Sequence, residues 1–523
     1  MSVREHFHQA AWQEPLITEQ GSPGHRGLAV PTFEGPEAEP LPESMRRPRA
    51  PELPELGQPQ VLRHYMRLSQ MTLAHNVAID ATVGTTTPKY PPVVNEQIGR
   101  WREITELHPN QPPATVQGLL QLLWELGECL KALSGMDAVA LQPQGGAHAI
   151  LSNVLIIRAY HESRGDSERD EMISTLATHP TNPASASAAG FKIIELPPGP
   201  KGYVELDALK AAVSERTAGL FINNPEDTGV FNPDVDRIAE IVHAAGGLCA
   251  YDQANANATL GLARARDAGF DLCSFNLHKT FAAPMHLYGP AAGASCVTSE
   301  LERFLPIPVV VKREDGFALD RNRPDSIGPI RAYAGNIASL IKAYAWIRSL
   351  GPEWITEVPR IAVLNNNYVQ QRLEAVAGFS ISFPENPEHR LDVVRYSLEG
   401  LREETGLGSE QINDRLVDYG IEPHWMSHHP VTSPEPVTLE PTESFSQEEL
   451  DELADVYERV AEEAHEDPAM VAAAPHRGAV AKMKIGGQEA GQFPLATARL
   501  LRDHRSAVAG AAGEGPLHHT TRS

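Results

Sequence analysis

Cysteine is scarce: Cys129, Cys249, Cys273 and Cys296 are scattered through 523 positions and form no C-x-x-C pair. This argues against a disulfide framework or a thiolate zinc site, and buried free thiols in a reducing compartment are expected. No apolar run approaches the roughly 18 residues needed to span a bilayer, and Met1 to His6 lacks the core of a signal peptide, so a cytoplasmic location is expected. Basic residues are in deficit as well. Lys and Arg total 44 against 68 Asp and Glu, a net charge of −24, which disfavours nucleic acid and membrane surfaces as partners. The 21 histidines make no metal signature. Around His424, His428 and His429 no acid or histidine stands at ligand spacing on a recognisable helix, so no metal is expected.

What the chain has in quantity is alternation. Residues 1–60 form a Pro- and Glu-rich extended arm, as in Glu34-Gly35-Pro36-Glu37, without apolar periodicity. Leucines and Trp124 at helical spacing predict a helix over 116–133. Strands are then predicted at 138–141, 192–196, 219–223 and 247–252, with helices at 150–160, 206–213 and 235–245 between them. That order is the pattern of βαβ units and a mostly parallel sheet, within a large α/β domain spanning 61–335. A helix at 337–347, apolar stretches at 379–383, 393–398 and 437–439, and a long helix at 447–463 predict a smaller α+β domain over 336–488. Residues 489–523 read as a tail, partly disordered.

Ligands of such sheets bind at the carboxyl ends of the strands, and several chemistry-bearing residues fall there. The run Ser274-Phe275-Asn276-Leu277-His278-Lys279-Thr280 stops at a lysine. A desolvated lysine amine condenses with an aldehyde, and pyridoxal phosphate is the common aldehyde cofactor. That cofactor needs a carboxylate at its ring nitrogen, a phosphate cradle and a flat group on its face. Asp252 ends the strand preceding the lysine. The turn Gln144-Gly145-Gly146-Ala147-His148 opens a helix whose N-terminus suits a phosphate. His179, fixed by Pro180, offers a flat imidazole, and Asn223-Asn224-Pro225 ends another strand with an amide.

These strings, with Leu62-Arg63-His64-Tyr65, Thr181-Asn182-Pro183-Ala184-Ser185, Ser326-Ile327-Gly328, Glu440-Pro441-Thr442-Glu443 and above all Asn276-Leu277-His278-Lys279-Thr280-Phe281, resemble the P-protein of the glycine cleavage system, glycine dehydrogenase (decarboxylating), in its C-terminal half or separate subunit 2. The resemblance runs from about Arg63 to Gln488. It implies a fold-type-I pyridoxal-phosphate enzyme, aspartate-aminotransferase-like, with Lys279 bound covalently to the cofactor, Asp252 on the pyridine nitrogen and His179 on the ring face. It also implies cofactor contacts from Gly146, Ala147, His148, Asn224, His278 and Thr280. The expected partners are an amino acid, a second copy of the chain and, for an ordinary P-protein, a subunit 1 or a lipoyl carrier protein.

Three stretches depart from the family pattern: Val83-Gly84-Thr85-Thr86-Thr87-Pro88-Lys89-Tyr90, Pro284-Met285-His286-Leu287-Tyr288-Gly289, and Glu226-Asp227 within Asn224-Pro225-Glu226-Asp227-Thr228-Gly229. Bulky residues after the lysine and acids opposite it predict a substrate larger than glycine, cationic in character, such as S-adenosylmethionine. Genuine glycine decarboxylation is the alternative, and an inactive scaffold subunit a third reading.

Overall fold

In the computed structural model, the described residues are 89–283, 290–422 and 432–479, with 7–25, 41–49, 53–73, 426–427 and the isolated positions 3, 27, 34–35, 78–79, 81 and 87. Met285, Leu287, Tyr288, His424, His428, His429, most of the departure around Val83 and the tail beyond 479 therefore lie outside them.

Among the described residues, seven strands make the main sheet: β1 Ala138–Ala140, β2 Glu171–Thr175, β3 Lys192–Leu196, β4 Thr217–Asn223, β5 Leu248–Gln253, β6 Leu272–Asn276 and β7 Gly293–Val297. Their spatial order is β1-β7-β6-β5-β4-β2-β3. Pairs from β6 through β3 are parallel, while β7 runs antiparallel to both β6 and β1. Every residue of β5, β6 and β7 is buried, because helices cover both faces and such strands have no solvated side. Successive residues of β4 go to opposite faces, as the pleat requires. Leu220 and Ile222 join a core with Leu123, Leu126, Ile238 and Phe275, whereas Phe221 joins Ile150, Val154, Ile157 and Leu272 on the other face. The helix Gln117–Ser134 stops where Gly135 takes φ 74°, a left-handed cap that costs glycine little.

A hairpin, β8 Val309–Arg313 and β9 Gly316–Asp320, follows the sheet. Beyond the helix Ile337–Trp354 comes a second, antiparallel sheet of β10 Ser380–Ile381, β11 Val394–Ser397 and β12 Pro436–Leu439. The helices Glu357–Leu373 and Gln447–Glu466 bury Val369, Leu373, Leu453, Val456, Tyr457 and Val460 in the same core as Val394, Tyr396, Val437 and Leu439. Ser446 caps the second of these helices through the Glu449 amide, and the Glu449 carboxylate returns the bond. The N-terminal region is tied to this sheet: Ile79 bridges Ile421, and the Glu440 amide donates to Ala81 O at 2.9 Å. The end of β12 meets the loop after β5 of the main sheet, where Asn257 Nδ2 donates to Glu440 Oε1 at 3.0 Å.

Candidate active site

Lys279, Asp252 and His179 each line two adjoining cavities, one of about 410 Å³ and one of about 60 Å³. Lys279 sits in the turn after β6, its amide donating to Asn276 O at 3.1 Å. Asp252 comes from β5, 4% exposed, and accepts from the Ala254 amide at 3.0 Å and the Ser274 hydroxyl at 3.4 Å. Burial pushes its pKa up, against the Ala254 amide, Lys279 and the Asn182 side chain, which pull it down. A buried carboxyl in this state is stabilised by a cation brought to it, such as a protonated ring nitrogen. His179 leaves β2 ahead of the helix Thr181–Ala188 and accepts the Thr181 amide on Nδ1 at 3.1 Å, so its proton lies on Nε2.

The larger cavity takes its far wall from Gln144 to His148, at the start of the helix Gly146–Ser163. No side chain caps that helix, so its first N–H groups face the cavity side. Two glycines here are closely packed. A Cβ on Gly146 would stand 2.6 Å from Asn276 Oδ1, and one on Gly293 2.7 Å from Gly145 O. Arg331 lies near enough to depress the His148 pKa together with burial, and its Nε and Nη1 are buried without a hydrogen-bond partner. Open helix amides, a glycine turn and an unsatisfied guanidinium fit a phosphate. His278 also lines this cavity. Its Nδ1 donates to Ala292 O at 2.9 Å, and burial drops its pKa to about 4, which keeps it neutral.

Two expected contacts are placed elsewhere. Asn224 lines neither cavity, because its amide is consumed by the Asn232 backbone, accepting at 2.8 Å and donating at 3.1 Å. Its neighbour Asn223 reaches the small cavity instead, with Oδ1 held by the Thr178 hydroxyl and by Asn182 Nδ2. Thr280 is fully buried behind the lysine turn, where its hydroxyl accepts the Ala256 amide at 2.9 Å; it positions the loop that follows Asp252.

The small cavity has walls that sequence reasoning did not identify: Thr87, Asn255, and Asp392 and Glu440 from the second sheet. Glu440 stands inside a string shared with the family and Thr87 inside a stretch that departs from it, but neither carried a role, and Asn255 and Asp392 were not singled out. The acids expected to attract a cationic substrate behave differently from expectation. Glu226 is buried against the Thr175 hydroxyl, and burial with the nearby Asp227 raises its pKa to about 8, so it is uncharged near neutral pH. With Glu226 neutral and a volume of only about 60 Å³, room for a handful of non-hydrogen atoms, the small cavity gives no support to a large substrate.

A family model described as the C-terminal domain of glycine dehydrogenase matches residues 358–476, and one for class-V aminotransferases matches residues 144–285. The chain is 42% identical over 503 residues to the "Probable glycine dehydrogenase (decarboxylating) subunit 2" of Pyrococcus horikoshii, covering 95% of this chain and 98% of that one. It is 39% identical over 469 residues to the protein of the same name in Listeria welshimeri, covering 88% and 94%. Among solved structures, an inhibitor-bound glycine decarboxylase (P-protein) of the glycine cleavage system superimposes with a TM-score of 0.67 at 22% identity, over 80% of this chain and 93% of that chain. A cysteine desulfurase of Escherichia coli gives 0.56 at 18%, over 75% and 97%. The architecture is thus the fold-type-I, aminotransferase-like one.

Proposed function

Since the chain belongs to the glycine dehydrogenase (decarboxylating) subunit 2 family and is a pyridoxal-phosphate-dependent enzyme, we propose that its substrate is glycine and its reaction loss of the glycine carboxyl group. The observation that carries this is the size of the space beyond Lys279 and Asp252, which suits an amino acid without a side chain. The reading replaces the larger amino acid expected from the sequence.

In this proposal Lys279 bears the cofactor, Asp252 holds the ring nitrogen protonated, and the imidazole of His179, fixed by Thr181, lies on the ring face. Gly146, Ala147 and His148 hold the phosphate, with the Arg331 guanidinium as the cation beside them. The cofactor, when bound, supplies an electron sink for the bond broken at the substrate carbon. The neutral His278 and the buried Thr280 keep the lysine turn in place without adding charge to it. The name of the relatives points to a counterpart subunit 1, and we propose that the chain works with one; association with a second copy of itself belongs to the same proposal.

Two measurements test the reading. The purified protein should show a cofactor absorbance band near the visible edge that Lys279→Ala removes. It should also exchange the glycine carboxyl carbon with bicarbonate in the presence of its counterpart subunit and a lipoyl carrier protein, at roughly 1 per second or faster. A band that responds to some other amino acid, with no such exchange, defeats the glycine assignment.

A further inference from the structure

Across the small cavity from Lys279 stand two carboxyls of the second sheet. Asp392 lies just ahead of β11 and Glu440 directly after β12. They are 1% and 2% exposed. Glu440 Oε1 gathers three donors from two distant parts of the chain: the Thr87 hydroxyl at 3.1 Å, and Asn257 Nδ2 at 3.0 Å with Asn255 Nδ2. Asp392 Oδ1 is buried with no hydrogen-bond partner. A buried carboxylate oxygen on a cavity wall without a donor is an acceptor set for a group that arrives or moves there.

The charged groups around this pair narrow what that group is. Lys89 is buried too, but its Nζ is paired with Glu443 at 2.7 Å and stacked on Trp346 at 4.5 Å. Asp252 is occupied by Ala254 and Asn182, Glu226 by Thr175, and His179 by the Thr181 amide. Asp227 faces the cavity from the turn after β4 and carries the same sign as the pair. Among the described residues the cation that lines the cavity itself is Lys279, and it acts electrostatically on both Asp392 and Glu440; Lys89, which does not line the cavity, also acts on Asp392, and more strongly.

We infer that Asp392 and Glu440 work together as the counter-ion of Lys279, with which they line the small cavity. The inference rests on the reading of Lys279 as the cofactor-bearing lysine. Burial raises both carboxyls, Asp392 to about 6 and Glu440 to about 8, and the charge of Asp392 adds to the rise at Glu440. Near neutral pH the two therefore retain one proton and one charge as a unit. That charge would favour the proton on the nitrogen joining Lys279 to the cofactor. Asp392 and Glu440 are positioning residues in this account, acting through Lys279.

The test is a spectral pH titration of the holoenzyme, whose cofactor band changes as the nitrogen joining it to Lys279 gains or loses a proton. The double variant Asp392→Asn/Glu440→Gln removes the shared charge and is expected to lower the midpoint by about 1 unit or more, the scale for loss of a close opposite charge. Either single replacement leaves one carboxyl to carry the charge and should move the midpoint less. Asp392→Glu combined with Glu440→Gln, which keeps one charge, should return the midpoint toward the wild-type value. An unmoved midpoint in the double neutral variant, with cofactor content and circular dichroism unchanged, would overturn the counter-ion pair. If asparagine at 392 prevents folding, Asp392→Ser in the same double variant carries the same expectation and the same refutation. Failure of the parent reading looks different: the wild-type protein then shows no band that Lys279→Ala removes, whereas a normal band with fixed midpoints defeats the pair alone.

Discussion

Replacing Asp252 by asparagine isolates charge from shape. The amide keeps an oxygen that can accept from the Ala254 amide at 3.0 Å and from Ser274 at 3.4 Å, so the strand end and the loop after it should hold. Lys279 and the glycine turn are untouched, and cofactor should remain bound. What is lost is the negative partner of a protonated ring nitrogen at a position 4% exposed. Removing one member of a buried ion pair costs about 3–5 kcal/mol. If that cost falls wholly on the charge-separated state, at about 1.36 kcal/mol per tenfold it lowers the turnover rate by about 10²- to 10⁴-fold. The assay is carboxyl exchange between glycine and bicarbonate, run with the cofactor spectrum on the same preparation. Asp252→Asn that binds cofactor and retains more than about a tenth of the wild-type rate would refute the assignment of Asp252 to the ring nitrogen.

Three further outcomes are expected. Gly146→Val should weaken cofactor binding by about tenfold or more, because even a Cβ would stand 2.6 Å from Asn276 Oδ1 and a β-branched side chain closes the turn against phosphate; titration of the cofactor-free protein with pyridoxal phosphate measures it, and wild-type affinity would contradict the cradle. Lys89→Met should destabilise the fold by about 3–5 kcal/mol in urea unfolding, since it strands Glu443 beside a buried site. Adding Glu443→Gln should recover much of the loss, and a double variant no better than the single one would show that the pair is not the cause. Glu226 gives a pH dependence with a definite sign. Its folded-state pKa of about 8 lies above the ordinary glutamate value of 4.5, so its protonated form contributes stability that is present below pH 4.5 and lost as pH rises toward 8. The wild type should therefore lose stability relative to Glu226→Gln over that window, at no more than about 1.4 kcal/mol per pH unit; parallel stability curves would show that Glu226 is ionised in the fold.

The parts of the fold that follow local rules were legible in the chain. The strands from Lys192, Gly219 and Gly247 and the helices between them announced a parallel sheet because fully buried strands are continuous apolar runs; the first has the expected bounds and the other elements shift by a few residues at most. β2 and β7 were not foreseen. Glu171–Thr175 mixes polar residues with two apolar ones, and Gly293–Val297 is made of small residues that pack closely without an apolar signal. The site followed the same division. Lys279, Asp252, His179 and the Gly146 turn lie where strands end, and sequence order along a βαβ chain is enough to bring them to one edge. Asn224 shows the limit of that reasoning. Strand alternation decides which of two adjacent asparagines faces the cavity, and a one-residue difference sends the amide of Asn224 into the backbone of Asn232.

Long-range closure explains the rest of what the sequence hid. Glu440 lies 183 positions from Asn257 and 353 from Thr87, yet its Oε1 accepts from both, while Asp392 arrives beside it from another strand. No local pattern announces such a meeting, because each residue is unremarkable in its own segment and becomes functional only when the second sheet docks against the first. The consequence is that the residues around Lys279 have two origins. In the proposed function the main sheet supplies the cofactor side, through Asp252, His179 and the Gly146 turn, and the carboxyls flanking the second sheet line the small cavity proposed for substrate. On that reading, changes beside the second sheet alter substrate handling while leaving cofactor attachment intact. A double variant Asp392→Asn/Glu440→Gln that binds cofactor normally and changes only the pH response of its band would be the direct expression of that division.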